Sequence, residues 1–150
     1  MLVFRIALTK YAKILVASGR AARWNSNDVK VIYTANSRAL ACLENVVHRS
    51  KLGLSANFSL MQIGIPDWLR MTSINLKDLP LDWDQFEHLH LMQKLGDNWI
   101  KECKTAVLKV PSSIIHDEFN YLLNPNHPEF KKMNLDIVKP FLFDDRIIKY

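Results

Sequence analysis

Five side chains in this sequence combine a reactive type with a telling setting: Arg5, Arg23, Tyr33, Glu44 and Ser112. Arg23 and Tyr33 are ten residues apart, Tyr33 and Glu44 eleven, and Ser112 follows Glu44 by 68. Arg5 interrupts an apolar run, where a guanidinium costs free energy unless it reaches water or meets an anion. Arg23 opens the triplet Arg23-Trp24-Asn25. Its planar fork can grip a phosphate in a bidentate way, which suits a dinucleotide diphosphate, whereas a loop arginine beside a core tryptophan is the bland alternative. Tyr33 ends a β-branched run, so its ring either packs at the rim of the core or stacks on a ligand. Glu44 sits among Ala39, Leu40, Ala41, Cys42, Leu43, Val46 and Val47. A carboxylate there needs a partner or a task. It is either half of a structural ion pair with Arg5 or Arg23, or it stabilises positive charge during a reaction. Ser112 follows Pro111 and precedes a second serine, Ser113, which competes for the same assignment. A serine after a proline is by itself a bland turn signal, and no histidine or lysine stands in an activating motif beside it.

These side chains need elements to hold them. Residues 2–8 are apolar and partly β-branched and read as a strand that puts Arg5 on a face with Val3 and Ala7. Residues 11–16 suggest a short helix ended by Ser18-Gly19, and residues 25–28 a turn. A strand over 29–34 carries Tyr33. Ser37 reads as the N-cap of a helix running to about Arg49, with Leu40, Leu43 and Val47 as its buried stripe. Residues 57–65 form another strand, and 71–84 are irregular. A helix over 86–103 buries Leu89, Met92, Leu95 and Trp99, although Gly96 weakens it. Residues 105–110 form a strand stopped by Pro111, continued after a break by Ile114-Ile115. Asn120 and Asn124 read as structural residues of a loop, and 124–128 as a loop with two prolines. A late strand over 135–143 is interrupted by Pro140. Strands and helices mix without a βαβ rhythm, which predicts an α+β fold in a single domain, residues 1–150.

The bulk properties narrow the function classes. The 49% apolar and 23% charged content is that of an ordinary folded domain, and no apolar stretch is long enough to span a bilayer. Arg5, Lys10 and Lys13 break up the N-terminal region, so the expected location is cytoplasmic and no membrane partner is expected. The two cysteines make no framework, and the five histidines are scattered, so no metal site is expected. The net charge of +5 suits an anionic ligand or partner. Its basic residues are dispersed, which argues against direct nucleic-acid binding.

The order of these residues resembles the RES-domain toxins of bacterial toxin–antitoxin pairs. The likeness runs from Val3-Phe4-Arg5-Ile6 through Arg23-Trp24-Asn25, Tyr33-Thr34 and Leu40 to Glu44. It continues at Leu95-Gly96-Asp97-Asn98-Trp99, Val110-Pro111-Ser112 and Asn120 to Pro125, and closes at His127-Pro128-Glu129-Phe130 and Phe143-Asp144-Asp145-Arg146. Where the family carries two glycines before the arginine, this chain has Ala21 and Ala22. The resemblance implies a compact fold similar to the ADP-ribosyltransferase toxins and an NAD-degrading activity that cleaves the nicotinamide–ribose bond. It implies Arg5, Glu44 and Ser112 as the catalytic set, and Arg5, Arg23, Tyr33, Glu44 and Ser112 as the NAD-binding set. Arg5 and Arg23 would hold phosphates, Tyr33 would position nicotinamide, Glu44 would stabilise the oxocarbenium-like transition state and Ser112 would orient the substrate. NAD enters as substrate with no further cofactor, and water or inorganic phosphate as acceptor. The implied protein partner is an Xre-type antitoxin with a DNA-binding helix-turn-helix, with room for a homodimer within that complex. Two rival readings stand beside this one: transfer of ADP-ribose to a protein, and a non-catalytic binding module built on a structural Arg/Glu cluster.

Overall fold

In the computed structural model, residues 1–49 and 51–147 are described, with the side chains of residues 51 and 52 left aside. The expected domain therefore extends past the described residues at 148–150. The fold is α+β, built on a seven-stranded sheet. In chain order the elements are β1 (Leu2–Leu8), β2 (Ile32–Ala35), α1 (Arg38–His48), the single turn α2 (Lys51–Leu54), β3 (Phe58–Gly64), β4 (Met71–Ser73), α3 (Leu89–Glu102), β5 (Val107–Pro111), β6 (Phe119–Leu123) and β7 (Asn134–Phe141). Across the sheet the order is β4-β5-β6-β2-β1-β3-β7. All neighbours are antiparallel except β4 and β5.

Strand alternation sorts the core onto two faces. Phe4, Ile6 and Ala35 meet Leu40 and Ala41 of α1 on one face. On that face, further along, Val31, Leu108, Val110 and Leu122 pack with Trp24, Trp83, and Met92 and Trp99 of α3. On the other face Val3, Ile32, Ile63, Val107 and Leu123 pack together, with Leu15 and Ala17 of the long 12–31 segment against them. The sheet is continuous along β1–β3, where seven residue pairs are in register from Leu2↔Gly64 to Leu8↔Phe58. Between β1 and β2 only Phe4↔Ala35 pairs. The two central strands thus touch at one point and part, and a cleft opens where they part.

Several elements differ from the sequence expectation. Residues 11–16 form no α-helix: a 3-10 turn (Thr9–Tyr11) leads into an irregular segment. So short a run cannot nucleate a helix unaided; tertiary contacts take Ala12 and Leu15, while Tyr11, Ile14 and Val16 stay exposed. β2 starts at Ile32, because the Val29 carbonyl is taken by the Asn25 side chain. In α1 the buried residues are Leu40 and Ala41, while Leu43 and Val47 face solvent at 40% and 59% exposure. The helix buries its first turn fully against the sheet, keeps Cys42 and Val46 partly packed there, and presents another face to the cleft. The 86–103 helix begins as a 3-10 turn (Phe86–His88) before α3. β4 and β6 stand where irregular chain and loop were expected, and Ile114-Ile115 lie in the turn between β5 and β6 instead of continuing the strand. β7 runs straight through Pro140, since an edge strand does not need every N–H.

Candidate functional site

The loop carrying Arg23 has no regular structure, so side chains hold its shape. Asn25 is 1% exposed. Its amide nitrogen donates to the carbonyls of Arg20, Ser26 and Val29 at 2.8, 3.1 and 2.9 Å. Its Oδ1 accepts from the Tyr33 hydroxyl at 2.5 Å, and that hydroxyl accepts the Trp24 N–H at 3.1 Å. From α3, Asp97 takes the N–H and hydroxyl of Ser26. Gly96 lets the helix approach so closely that a Cβ there would stand 1.7 Å from the Trp24 carbonyl oxygen. The glycine that weakened the helix in sequence is a docking point for the arginine loop. Arg23 leaves this frame, donates to the Asp84 carbonyl at 2.9 Å and lies over the Trp83 ring.

Arg5 reaches across the parted strands and donates to the Tyr33 carbonyl at 3.3 Å. Asn45 of α1 donates to the Ile6 carbonyl at 3.2 Å on the same stretch. Burial and then the neighbouring Arg49 charge pull the Arg5 pKa downward, but a guanidinium remains charged. Burial first, and the Asp97 and Glu44 charges after it, push the Tyr33 hydroxyl well up, against the opposing Trp24 N–H and Arg23. The Tyr33 hydroxyl is therefore neutral and committed to the loop, which leaves the ring as the part of Tyr33 open to a ligand.

Glu44 is held from three elements. Its Oε1 accepts from Asn120 Nδ2 of β6 at 2.7 Å and from Ser112 Oγ, just past β5, at 3.3 Å. Its Oε2 meets His48 Nε2, one helical turn on, at 3.3 Å. Burial disfavours the charged form, but the bonds from His48, Asn120 and Ser112, with the His48 charge, outweigh it and hold the carboxyl below its usual range. Ser112 is fully buried and its Oγ accepts the N–H groups of Ile114 and Ile115 at 3.1 and 3.2 Å. With its lone pairs so used, its one proton points at Glu44. Ser112 thus lies behind the carboxylate, and of the serine pair it is Ser113 that lines the cleft.

The cleft has a volume of about 710 Å³, within the range of small-molecule sites. Arg5, Arg23, Tyr33 and Glu44 line it, whereas Ser112, the fifth residue that the sequence reading placed in one pocket with them, is not on its wall and touches it only through Glu44. Alanines 21 and 22, in the place of the family's glycines, are on its wall as well. The structure adds residues that the sequence reading passed over. Arg20 and Arg49 line the cleft, so four arginines face one glutamate among the described residues. Ala41, Glu44, Asn45 and His48 also line it, at the i, i+3, i+4, i+7 spacing of one helix face. That polar stripe was visible in the sequence, but the apolar stripe through Leu43 and Val47 competed with it. The guanidiniums of Arg5, Arg23 and Arg49 bond neutral acceptors, and Glu44 bonds Ser112, Asn120 and His48 in preference to an arginine. Such a cleft offers several cations to an anionic ligand and one ionised carboxylate to a centre of positive charge.

Residues 2–144 match the RES domain family. The Prs ADP-ribosylating toxin of Sphingobium sp. (strain YBL2) is 39% identical over 129 residues, spanning 85% of this chain and 80% of that protein. Toxin Res of Yersinia enterocolitica is 32% identical over 153 residues, 98% of this chain and 99% of that one. A chain of the M. tuberculosis MbcT–MbcA toxin–antitoxin complex shares the fold, with a TM-score of 0.76 at 15% identity over 94% of this chain and 84% of its own.

Proposed function

The chain belongs to the RES domain family, and from that premise we propose that it is a toxin that breaks the bond between nicotinamide and ribose in NAD. One observation carries the reading: an ionised Glu44, free of arginine partners among the described residues, faces a cleft whose other charges are guanidiniums. In this reading Arg5 and Arg23, helped by Arg20 and Arg49, take the diphosphate, and the Tyr33 ring lies against nicotinamide. As the C1′–N bond breaks, its electron pair leaves with nicotinamide, which becomes neutral. Positive charge grows on the ribose, and the Glu44 carboxylate stabilises it. Ser112 acts through Glu44. Water as acceptor yields ADP-ribose and a proton, and inorganic phosphate yields the phosphorylated sugar. The rival binding module lacks support, because its premise was an Arg–Glu44 pair and Glu44 has other partners.

A second acceptor reading has an observation behind it. The relative at 39% identity bears the name of an ADP-ribosylating toxin, so a protein side chain as acceptor follows the same bond cleavage. In either case an uncontrolled NAD-consuming enzyme harms its own cell, and the fold neighbour comes from a toxin–antitoxin complex. The partner this implies is an antitoxin, of Xre type by the family resemblance, that covers the cleft and offers acidic groups to its arginines. The deciding experiment follows labelled NAD with the purified chain, with and without phosphate and with an acceptor protein present. Nicotinamide release is expected, and the fate of ADP-ribose names the acceptor. Intact NAD in every arm sinks the proposal, as does harmless expression of the chain alone with cellular NAD unchanged.

A further inference from the structure

Asn120 read as a loop residue in the sequence, and the structure gives it a different place. It lies on β6, with its backbone paired to Ala35 of β2 on one side and Val110 of β5 on the other. Its side chain lines the cleft and donates the 2.7 Å bond into Glu44 Oε1, shorter than the bonds from Ser112 and His48 at 3.3 Å. Its own Oδ1 is buried without a hydrogen-bond partner among the described residues. Flipping the amide would bring that oxygen against the carboxylate, so the orientation follows from Glu44. A buried unpaired acceptor is costly. The site keeps one so that N–H, and not oxygen, faces Glu44.

We infer that Asn120 is a positioning residue: its carboxamide, clamped between two strands, pins Oε1 of Glu44 and leaves Oε2 as the oxygen offered to the substrate. The inference rests on the proposed reaction for its functional consequence but not for its structural one. Ser112 supplies the weaker half of the same clamp. On the open side, among the described residues, Oε2 meets only His48, whose side chain is 62% exposed and movable. The charged and titratable groups that share the cleft with Glu44 are His48 on its own helix and Arg49 at that helix's C-cap, Arg5 from β1, Tyr33 from β2, and Arg20 and Arg23 across the cleft. The cations all favour the ionised carboxylate, so removal of the Asn120 donor isolates one contribution.

The test uses the whole chain with Asn120→Leu, which deletes the donor at similar size, and Asn120→Asp, which restores a donor only while a proton is shared with Glu44. Glu44 titration is read by carboxyl NMR without substrate, and kcat and KM for NAD are read against pH. In Asn120→Leu the Glu44 titration should rise by about one pH unit, with the acid limb of kcat following it. Turnover on the plateau should fall roughly ten- to a hundredfold from misplacement, with KM changed far less. Asn120→Asp should recover turnover near neutrality and lose it again at higher pH as the shared proton leaves. Should the leucine variant not fold, the alkaline loss in Asn120→Asp decides alone. A wild-type Glu44 titration in Asn120→Leu overturns the inference, and so does a raised KM with an unmoved pH profile. Because the titration needs no NAD, it stands even if the wild-type chain proves inactive on that substrate.

Discussion

Replacing Glu44 by glutamine separates electrostatic work from structural support at one atom's cost in shape. The introduced amide retains an oxygen to accept from Asn120 and Ser112, so the bonds at 2.7 and 3.3 Å survive as neutral ones. A bond to a charged group contributes about 1.5–3 kcal/mol and a neutral one about 0.5–1.5. The carboxylate is 21% exposed, so solvent screens part of that difference. The expected loss of stability is about 1–2 kcal/mol, or roughly 2–8 °C in Tm for a domain of this size. Turnover should fall much further. Removing one preorganised electrostatic contact to the transition state costs on the order of 3 kcal/mol, roughly a hundredfold or more in rate. Thermal unfolding and nicotinamide release are measured on one preparation, with NAD binding as the control. Normal turnover refutes the catalytic assignment. A stability loss of about 3–5 kcal/mol would instead signal a buried arginine left without its partner, which contradicts the observed bonding of Glu44.

The same carboxylate sets a pH dependence. Its folded pKa is depressed, so its contribution is full above its ordinary value of 4.5 and is lost as pH falls through the lowered one. The stability gap between wild type and Glu44→Gln, followed by denaturant unfolding, should stay constant above about pH 5 and close below it. Gly96→Ala would ordinarily stabilise a helix by about 1 kcal/mol, but here the added methyl meets the Trp24 carbonyl at 1.7 Å. It should destabilise by roughly 3 kcal/mol or more, lowering Tm by roughly 6–12 °C, and an unchanged melting curve would contradict the close packing. Tyr33→Phe strips partners from the Trp24 N–H and Asn25 Oδ1. It should cost about 1–3 kcal/mol in stability, and a variant as stable as wild type would show that the hydroxyl does not hold the loop.

Much of the local structure was legible in the sequence because its causes are local. The short apolar runs of residues 2–8 and 58–64 specify strands, and Ser37 caps α1 with its side chain accepting from Leu40 N–H. The residue types of the site were legible as well. An arginine inside an apolar strand and a glutamate inside an apolar helix each demand a compensating partner, whatever the fold. The choice of partner was not local. Glu44 meets Ser112 and Asn120 across 68 and 76 residues, through a strand, β6, that has no strong pattern of its own and exists because β2 and β5 pair with it. The helix face of α1 was equally undecided, since Leu43 and Val47 compete with Ala41, Glu44, Asn45 and His48 for the inward side. Packing settled it when Leu40 and Ala41 were buried against the sheet, with Cys42 and Val46 beside them. The cleft itself comes from one shared residue pair between β1 and β2. Sequence periodicity describes what each strand can bury, but where two strands part company depends on the twist and length of the whole sheet around them.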